Sequence, residues 1–90
     1  MELNKAREVM DDIDKQIAEL VAKRLSIAKE IFKLKKSKNL PVENKERESD
    51  LLQARIKKMK ELGIDDAEFV KQLFAVLIKK SKEIQKEAMK

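Results

Sequence analysis

The chain has 90 residues, of which 42% are hydrophobic and 43% charged, and a net charge of +5. A chain of this length forms one domain, which we assign to residues 1–90. The absence of cysteine excludes disulfides and thiolate metal sites, and the absence of histidine removes the usual general base and the commonest metal ligand. We therefore expect no metal and no cofactor. Any catalysis must depend on positioning and electrostatics.

The composition also predicts the fold class. One Gly, one Pro and an abundance of Ala, Glu, Lys, Leu and Arg favour long helices, and strand patterns are missing. The N-terminus enters an amphipathic pattern without a leader, and no apolar run reaches the roughly 18–20 residues of a membrane span. We expect an all-α cytoplasmic protein with no membrane partner.

The first predicted helix covers about residues 4–38. Pro41 disfavours helix at the residue before it, so this helix should end near Asn39. At 1.5 Å per residue its length is about 50 Å. The two later helices, each about 30 Å long, cannot cover an apolar stripe of that length. A second copy of the chain should cover the rest, which predicts an intertwined helical homodimer.

Two shorter helices are predicted at about residues 44–62 and 66–88. Asn44 is placed to cap the second helix. Gly63 fits the position just after the C-terminus of that helix. Asp65 has the position of an N-cap residue for the third helix.

Polar residues interrupt the apolar face of the first helix. Its stripe consists of Ala6, Met10, Ile13, Ile17, Leu20, Ile27, Ile31 and Leu34. Arg24 fills the one gap in this series, and Lys35 lies three turns later at almost the same angle. A buried cation is costly unless it is paired or faces a polar cavity. For each residue alone, a long side chain that reaches back to water is the ordinary explanation.

The other helices carry similar interruptions. Ser81 lies at the centre of the third helix's stripe, and Gln85 follows one turn later. Arg47 and Glu48 lie beside the apolar face of the second helix, where they could equally be ordinary surface charges. A lone serine usually bonds back to a helix carbonyl. One polar cavity shared by the three helices accounts for all of these residues, and the excess of cations predicts an anionic ligand such as a carboxylate.

Arg7 is too distant to join this cavity within one chain. It precedes Arg24 by 17 residues, which is about 25 Å along a straight helix. In an antiparallel dimer it could reach the cavity of the partner. On the residues alone, a surface arginine near a terminus is the simpler explanation.

These residues and their spacings resemble the all-α chorismate mutases, which are intertwined dimers of three-helix chains. The resemblance runs from about Ala6 to Gln85 and depends on an ordered set of short stretches. These are Arg7, Asp11-Asp12-Ile13-Asp14, Ala22-Lys23-Arg24, Ala28-Lys29-Glu30-Ile31, Lys35, Leu40-Pro41-Val42, Glu46-Arg47-Glu48, and Ser81 with Gln85. The resemblance implies the rearrangement of chorismate to prephenate, in aromatic amino acid biosynthesis from the shikimate pathway.

The resemblance further implies how the substrate is held. Arg24, together with Arg7 from the partner chain, would bind the two carboxylates. Lys35 and Gln85 would hydrogen-bond the ether oxygen, where negative charge grows as the C–O bond breaks. The reaction is intramolecular and needs no nucleophile, metal or proton transfer, so it suits a chain without His or Cys.

The remaining site residues follow from the same resemblance. Glu48 would hold the ring hydroxyl, and Arg47 and Ser81 would complete the polar wall and help to seat a carboxylate. Asn44 stands where the family often has aspartate. We therefore expect a backbone contact at Asn44 and a side chain that serves mainly as a helix cap.

Two other functions fit parts of the pattern. An isochorismate–pyruvate lyase of the same fold would use the same cationic pocket on a similar substrate. A nucleic-acid-binding or interaction module is suggested by the basic cluster Lys33, Lys35, Lys36 and Lys38. No aromatic residues are interleaved with that cluster and no DNA-binding motif is present, and the dipole of a helix favours cations near its C-terminus. We expect no nucleic-acid partner.

Overall fold

The computed structural model describes residues 1–88, which form three α-helices and no β-strand. They are α1 (Leu3–Ser37), α2 (Lys45–Glu61) and α3 (Ala67–Ala88). The all-α prediction is confirmed, and each helix end lies within one residue of the predicted position. The last two residues of the predicted domain lie outside the described range. Within that range no helix is both long and apolar enough to cross a membrane.

The first two helices end in the same kind of turn. Asn39 follows α1 with φ 55°, and the N–H of Leu40 donates to the carbonyl of Lys35 at 2.8 Å. Gly63 follows α2 with φ 94°. This left-handed conformation satisfies free carbonyls at a helix C-terminus and is easiest for Gly and Asn. The chain therefore turns sharply at Asn39, two residues before Pro41.

Side-chain caps begin the second and third helices. Asn44 Oδ1 accepts a hydrogen bond from the N–H of Arg47 at 3.0 Å, so the predicted cap of α2 is confirmed. The prediction that Asp65 caps α3 was wrong. Asp66 Oδ1 accepts instead from the N–H of Phe69 at 3.1 Å. Both aspartates have the right chemistry, but only Asp66 lies three residues before a free N–H of a helix that begins at 67.

α3 packs against both α1 and α2, whereas the backbones of α1 and α2 do not come close to each other within residues 1–88. The hydrophobic core is correspondingly small. Ala28 and Phe32 of α1 and Val70 of α3 are its buried members. Burial in α1 therefore lies near its C-terminal end, where α3 covers it.

The long apolar stripe predicted on α1 is uncovered within one chain. Met10 is 58% exposed, Leu20 65% and Leu34 61%. α3 covers a different face of α1, which includes Ala28 and Phe32. Each of these two residues follows a residue of the exposed stripe by one position in the chain. α1 thus has two apolar faces, and the molecule, 54 Å in its longest dimension, buries only one of them.

Candidate active site

A cavity of about 360 Å³ lies between α1 and α2, with α3 at its base. Its polar side chains are Arg24, Lys35, Asn44, Arg47, Glu48, Arg55, Ser81, Lys82 and Gln85, and its apolar ones are Ile27, Ala28, Ile31, Val42, Leu51 and Ile78. Seven of the eight site residues predicted from the sequence therefore line one space. Arg7 does not. It lies on the same unbroken helix as Arg24, 17 residues away, which corresponds to about 25 Å.

The side chain of Arg24 extends from α1 to α3. Its Nη1 donates to Ser81 Oγ at 2.7 Å and to the carbonyl of Leu77 at 3.4 Å. Partial burial lowers the pKa of Arg24 below its usual value, and the charge of nearby Arg55 lowers it further. Arginine nevertheless remains protonated in proteins. An anion in the cavity would favour the charged guanidinium and offset the repulsion from Arg55.

Lys35 reaches the cavity from the last turn of α1. Its Nζ donates to the carbonyl of Val42 at 2.8 Å. The sharp turn at Asn39 makes this contact possible because it brings residue 42 back towards α1. An ammonium group has three N–H donors, so two N–H groups of Lys35 remain for a ligand.

Ser81 and Gln85 lie on the buried face of α3, at 9% and 5% exposure. Ser81 Oγ donates to the carbonyl of Leu77 at 2.9 Å, as a serine in a helix commonly does. Gln85 Oε1 is buried without a hydrogen-bond partner. An unpaired buried polar atom costs about 1–3 kcal/mol, so a polar ligand atom would be favourable beside this amide.

Glu48 makes an ion pair that the sequence did not predict. Lys82 Nζ lies 2.8 Å from Glu48 Oε1 and 3.5 Å from Glu43 Oε1. The hydrogen bond with Glu48 is the main cause that raises the pKa of Lys82, although burial acts in the opposite direction. Lys82 on α3 thus holds the carboxylate of Glu48 in place.

Arg55 is the second cation that sequence reasoning missed. Its guanidinium lies 5.9 Å from the centre of the Phe74 ring, within the range of a cation–π contact. A signal for it existed in the sequence, because it follows Leu51 by four residues and therefore shares its helix face. The sequence indicates Lys82 more weakly: it precedes Gln85 by three residues and so lies on a similar side of α3.

A second concavity, of about 450 Å³, lies beside the first and shares Lys35 and Val42 with it. The turn from Asn39 to Val42 forms much of its wall. Lys35 and Lys36 are the charged side chains around it. The smaller cavity is the candidate active site because side chains from three helices converge there.

The fold and this cavity define a class: a three-helix protein whose pocket is lined mainly by cationic side chains. A model of the chorismate mutase type II family matches residues 6–86. The solved structure of a conserved hypothetical protein from Pyrococcus furiosus is similar, with 36% identity, a TM-score of 0.70, and coverage of 92% of this chain and 93% of that chain. The comparison with curated proteins gave no match. The chain belongs to the chorismate mutase type II family.

Proposed function

We propose that this protein rearranges chorismate to prephenate. The observation that carries the proposal is the convergence of Arg24, Lys35 and Gln85, whose amide oxygen is buried and unpaired, on one cavity in a member of this family. A volume of about 360 Å³ is within the roughly 300–1,000 Å³ of small-molecule sites. The reaction breaks a C–O bond and forms a C–C bond within one molecule. The protein need only hold the reactive conformation and stabilise its developing charge.

The carboxylates of the substrate would be held by arginines. Arg24 is oriented by Ser81 and lies close enough to Arg55 for the two charges to interact. A carboxylate placed against Arg24 would gain bidentate, charge-assisted hydrogen bonds. Arg47, on the first turn of α2, would complete this polar wall.

Lys35 and Gln85 would stabilise the ether oxygen as the C–O bond breaks. Lys35 approaches the cavity from α1 and Gln85 from α3. A half-turn of the Gln85 amide would present Nε2 as a donor at the position where Oε1 now has no partner. Preorganised donors that meet growing negative charge in a dry site each contribute about 3–4 kcal/mol.

Glu48 would accept a hydrogen bond from the ring hydroxyl. Its carboxylate lines the cavity, and its ion pair with Lys82 uses Oε1. Asn44 lines the cavity as well, but its Oδ1 is occupied as the cap of α2. A contact between Asn44 and the substrate would therefore come from its backbone or from the Nδ2 amide group.

The functional unit in this proposal is a homodimer. The exposed stripe on α1, with Ile13 44% and Ile17 53% exposed, offers a long apolar surface that a second copy would bury. In an antiparallel pairing Arg7 of the partner would enter the cavity beside Arg24. Sedimentation or light scattering should give a mass twice the 10.5 kDa of one chain.

A continuous absorbance assay for chorismate loss tests the activity. Prephenate should form from chorismate without added metal or cofactor. A parallel incubation with isochorismate distinguishes the lyase of the same fold, which would release salicylate and pyruvate. Salt-sensitive DNA binding with neither activity would favour the basic interaction module, although the structure turns Lys35 of that basic cluster towards Val42.

A further inference from the structure

Lys82 links α3 to the beginning of α2 at the wall of the cavity. Its Nζ lies 2.8 Å from Glu48 Oε1, and the two side chains are only 26% and 24% exposed. It also lies 3.5 Å from Glu43. The three ion pairs elsewhere in residues 1–88 join neighbours on one helix, and their side chains are at least 49% exposed. Within that range, Lys82 alone forms ion pairs between separate elements.

Glu48 shares the cavity with five cations. Among the described residues that line the cavity it is the one carboxylate, and the cations are Arg24, Lys35, Arg47, Arg55 and Lys82. Arginine is the better partner for a carboxylate because its fork makes two parallel hydrogen bonds. If Glu48 paired with an arginine, it would neutralise a charge that the carboxylates of the substrate need. The ion pair with Lys82 holds Glu48 between α2 and α3 instead.

We propose that Lys82 is a positioning residue that fixes Glu48 through Oε1 and leaves Oε2 to accept the ring hydroxyl of the substrate. Lys82 acts through Glu48 and does not itself contact the substrate. This inference rests on the proposed function, because only a substrate with a ring hydroxyl gives Glu48 that task. Loss of Lys82 would let Glu48 turn towards an arginine and weaken substrate binding.

The experiment compares Lys82→Met with Lys82→Arg in the full-length chain. Lys82→Met should raise KM for chorismate about tenfold, which corresponds to about 1.4 kcal/mol, with a smaller change in kcat. Lys82→Arg keeps the charge and holds Glu48 in place, but its fork can also engage Oε2, so it should recover only part of the loss. The matched control is Lys80→Met, since Lys80 is 55% exposed and pairs with Glu83 on its own helix. This control should match the unmodified protein.

A double-mutant cycle distinguishes positioning from direct contact. In a Glu48→Gln background, Lys82→Met should add little to the loss, because its effect passes through the carboxylate. A full additional tenfold loss in that background would mean that Lys82 binds the substrate itself, and would overturn the proposal. Unchanged KM in Lys82→Met alone would overturn it as well.

Two further measurements keep these outcomes separate. If the unmodified protein does not convert chorismate, the proposed function fails, whatever Lys82 does. Thermal unfolding of each variant shows whether a loss is due to folding. If Lys82→Met is poorly folded, the same cycle is run with Lys82→Gln, which keeps a donor without the charge. A full additional loss from Lys82→Gln in the Glu48→Gln background would again overturn the proposal.

Discussion

Arg24 and Ser81 are joined by a hydrogen bond of 2.7 Å, from Nη1 on α1 to Oγ on α3. Ser81 has one proton, which goes to the carbonyl of Leu77 at 2.9 Å. Its hydroxyl oxygen therefore acts as the acceptor towards the guanidinium. The serine bonds back to its own helix, as serines in helices do, and in this position it also aims an arginine into the cavity.

Ser81→Ala should therefore affect binding more than folding. One hydrogen bond contributes only about 1 kcal/mol to stability. A guanidinium freed to rotate would bind its carboxylate less well, so kcat/KM should fall about tenfold, or about 1.4 kcal/mol. Steady-state kinetics and thermal unfolding measure the two effects. Ser26→Ala is the control, since Ser26 is exposed on α1. Equal kcat/KM in the two variants would show that Ser81 does not orient Arg24.

Much of this site was predictable because polar residues at helical spacing interrupt otherwise apolar faces. Arg24 and Lys35 on α1, and Ser81 and Gln85 on α3, stand out in this way before any tertiary contact is known. The helices that carry them were predictable from their long periodic patterns and from Pro41. Periodicity fixes which side of a helix is apolar, and buried polar groups on that side require a shared polar space.

Other features depend on how the helices pack, which periodicity does not specify. Lys82 lines the candidate site because α3 places it opposite Glu48. The sequence pattern of α3 does not indicate this pairing. Asp66 rather than Asp65 caps α3 because the helix begins one residue later than a cap at Asp65 requires. The second apolar face of α1, around Ala28, was also missed, since one continuous stripe already explained the helix.

Replacement of Arg24 by methionine should remove activity without loss of stability. Partial burial and the charge of Arg55 both lower the pKa of Arg24, so the guanidinium stays protonated at neutral pH but its charge lowers the stability of the folded state. An apolar side chain of similar length avoids both effects, so Tm should be unchanged or higher. Added salt should raise the Tm of the unmodified protein more than that of Arg24→Met, because it screens the repulsion between two arginines.

Lys23→Met is the matched control, since it removes a charge from the neighbouring exposed position of α1. It should keep its activity, and its Tm should respond to salt as the unmodified protein does. If Arg24→Met instead unfolds at a clearly lower temperature, then the hydrogen bonds of Arg24 stabilise the fold more than burial and Arg55 oppose it.

Lys35→Ala and Gln85→Ala should reduce kcat far more than they reduce stability. Each variant removes a proposed donor to the ether oxygen, so kcat should fall by about 100-fold or more. Gln85→Met keeps the volume and removes a buried unpaired oxygen, so it should be at least as stable as the unmodified protein. Lys36→Ala is the control, because Lys36 is exposed and does not line this cavity. Near-full activity in both alanine variants would show that these two residues do not act on the ether oxygen.

Mixing two inactive variants tests whether Arg7 acts across a dimer. Arg7→Ala and Arg24→Ala chains are unfolded together and refolded, and each is also refolded alone as the control. In a mixed dimer, the cavity with the intact Arg24 would receive the intact Arg7 of its partner. About half of the dimers should be mixed, each with one working site of two, so about a quarter of the activity of the unmodified protein should return.

The result depends on where Arg7 acts. α1 is unbroken from Leu3 to Ser37, so about 25 Å separate Arg7 from Arg24 within one chain. If Arg7 served only its own chain, every cavity in the mixture would lack one of the two arginines and no activity would return. Activity in the Arg7→Ala chain refolded alone would mean that catalysis does not need Arg7. Recovery confined to the mixture is the one result that requires a cavity built from two chains.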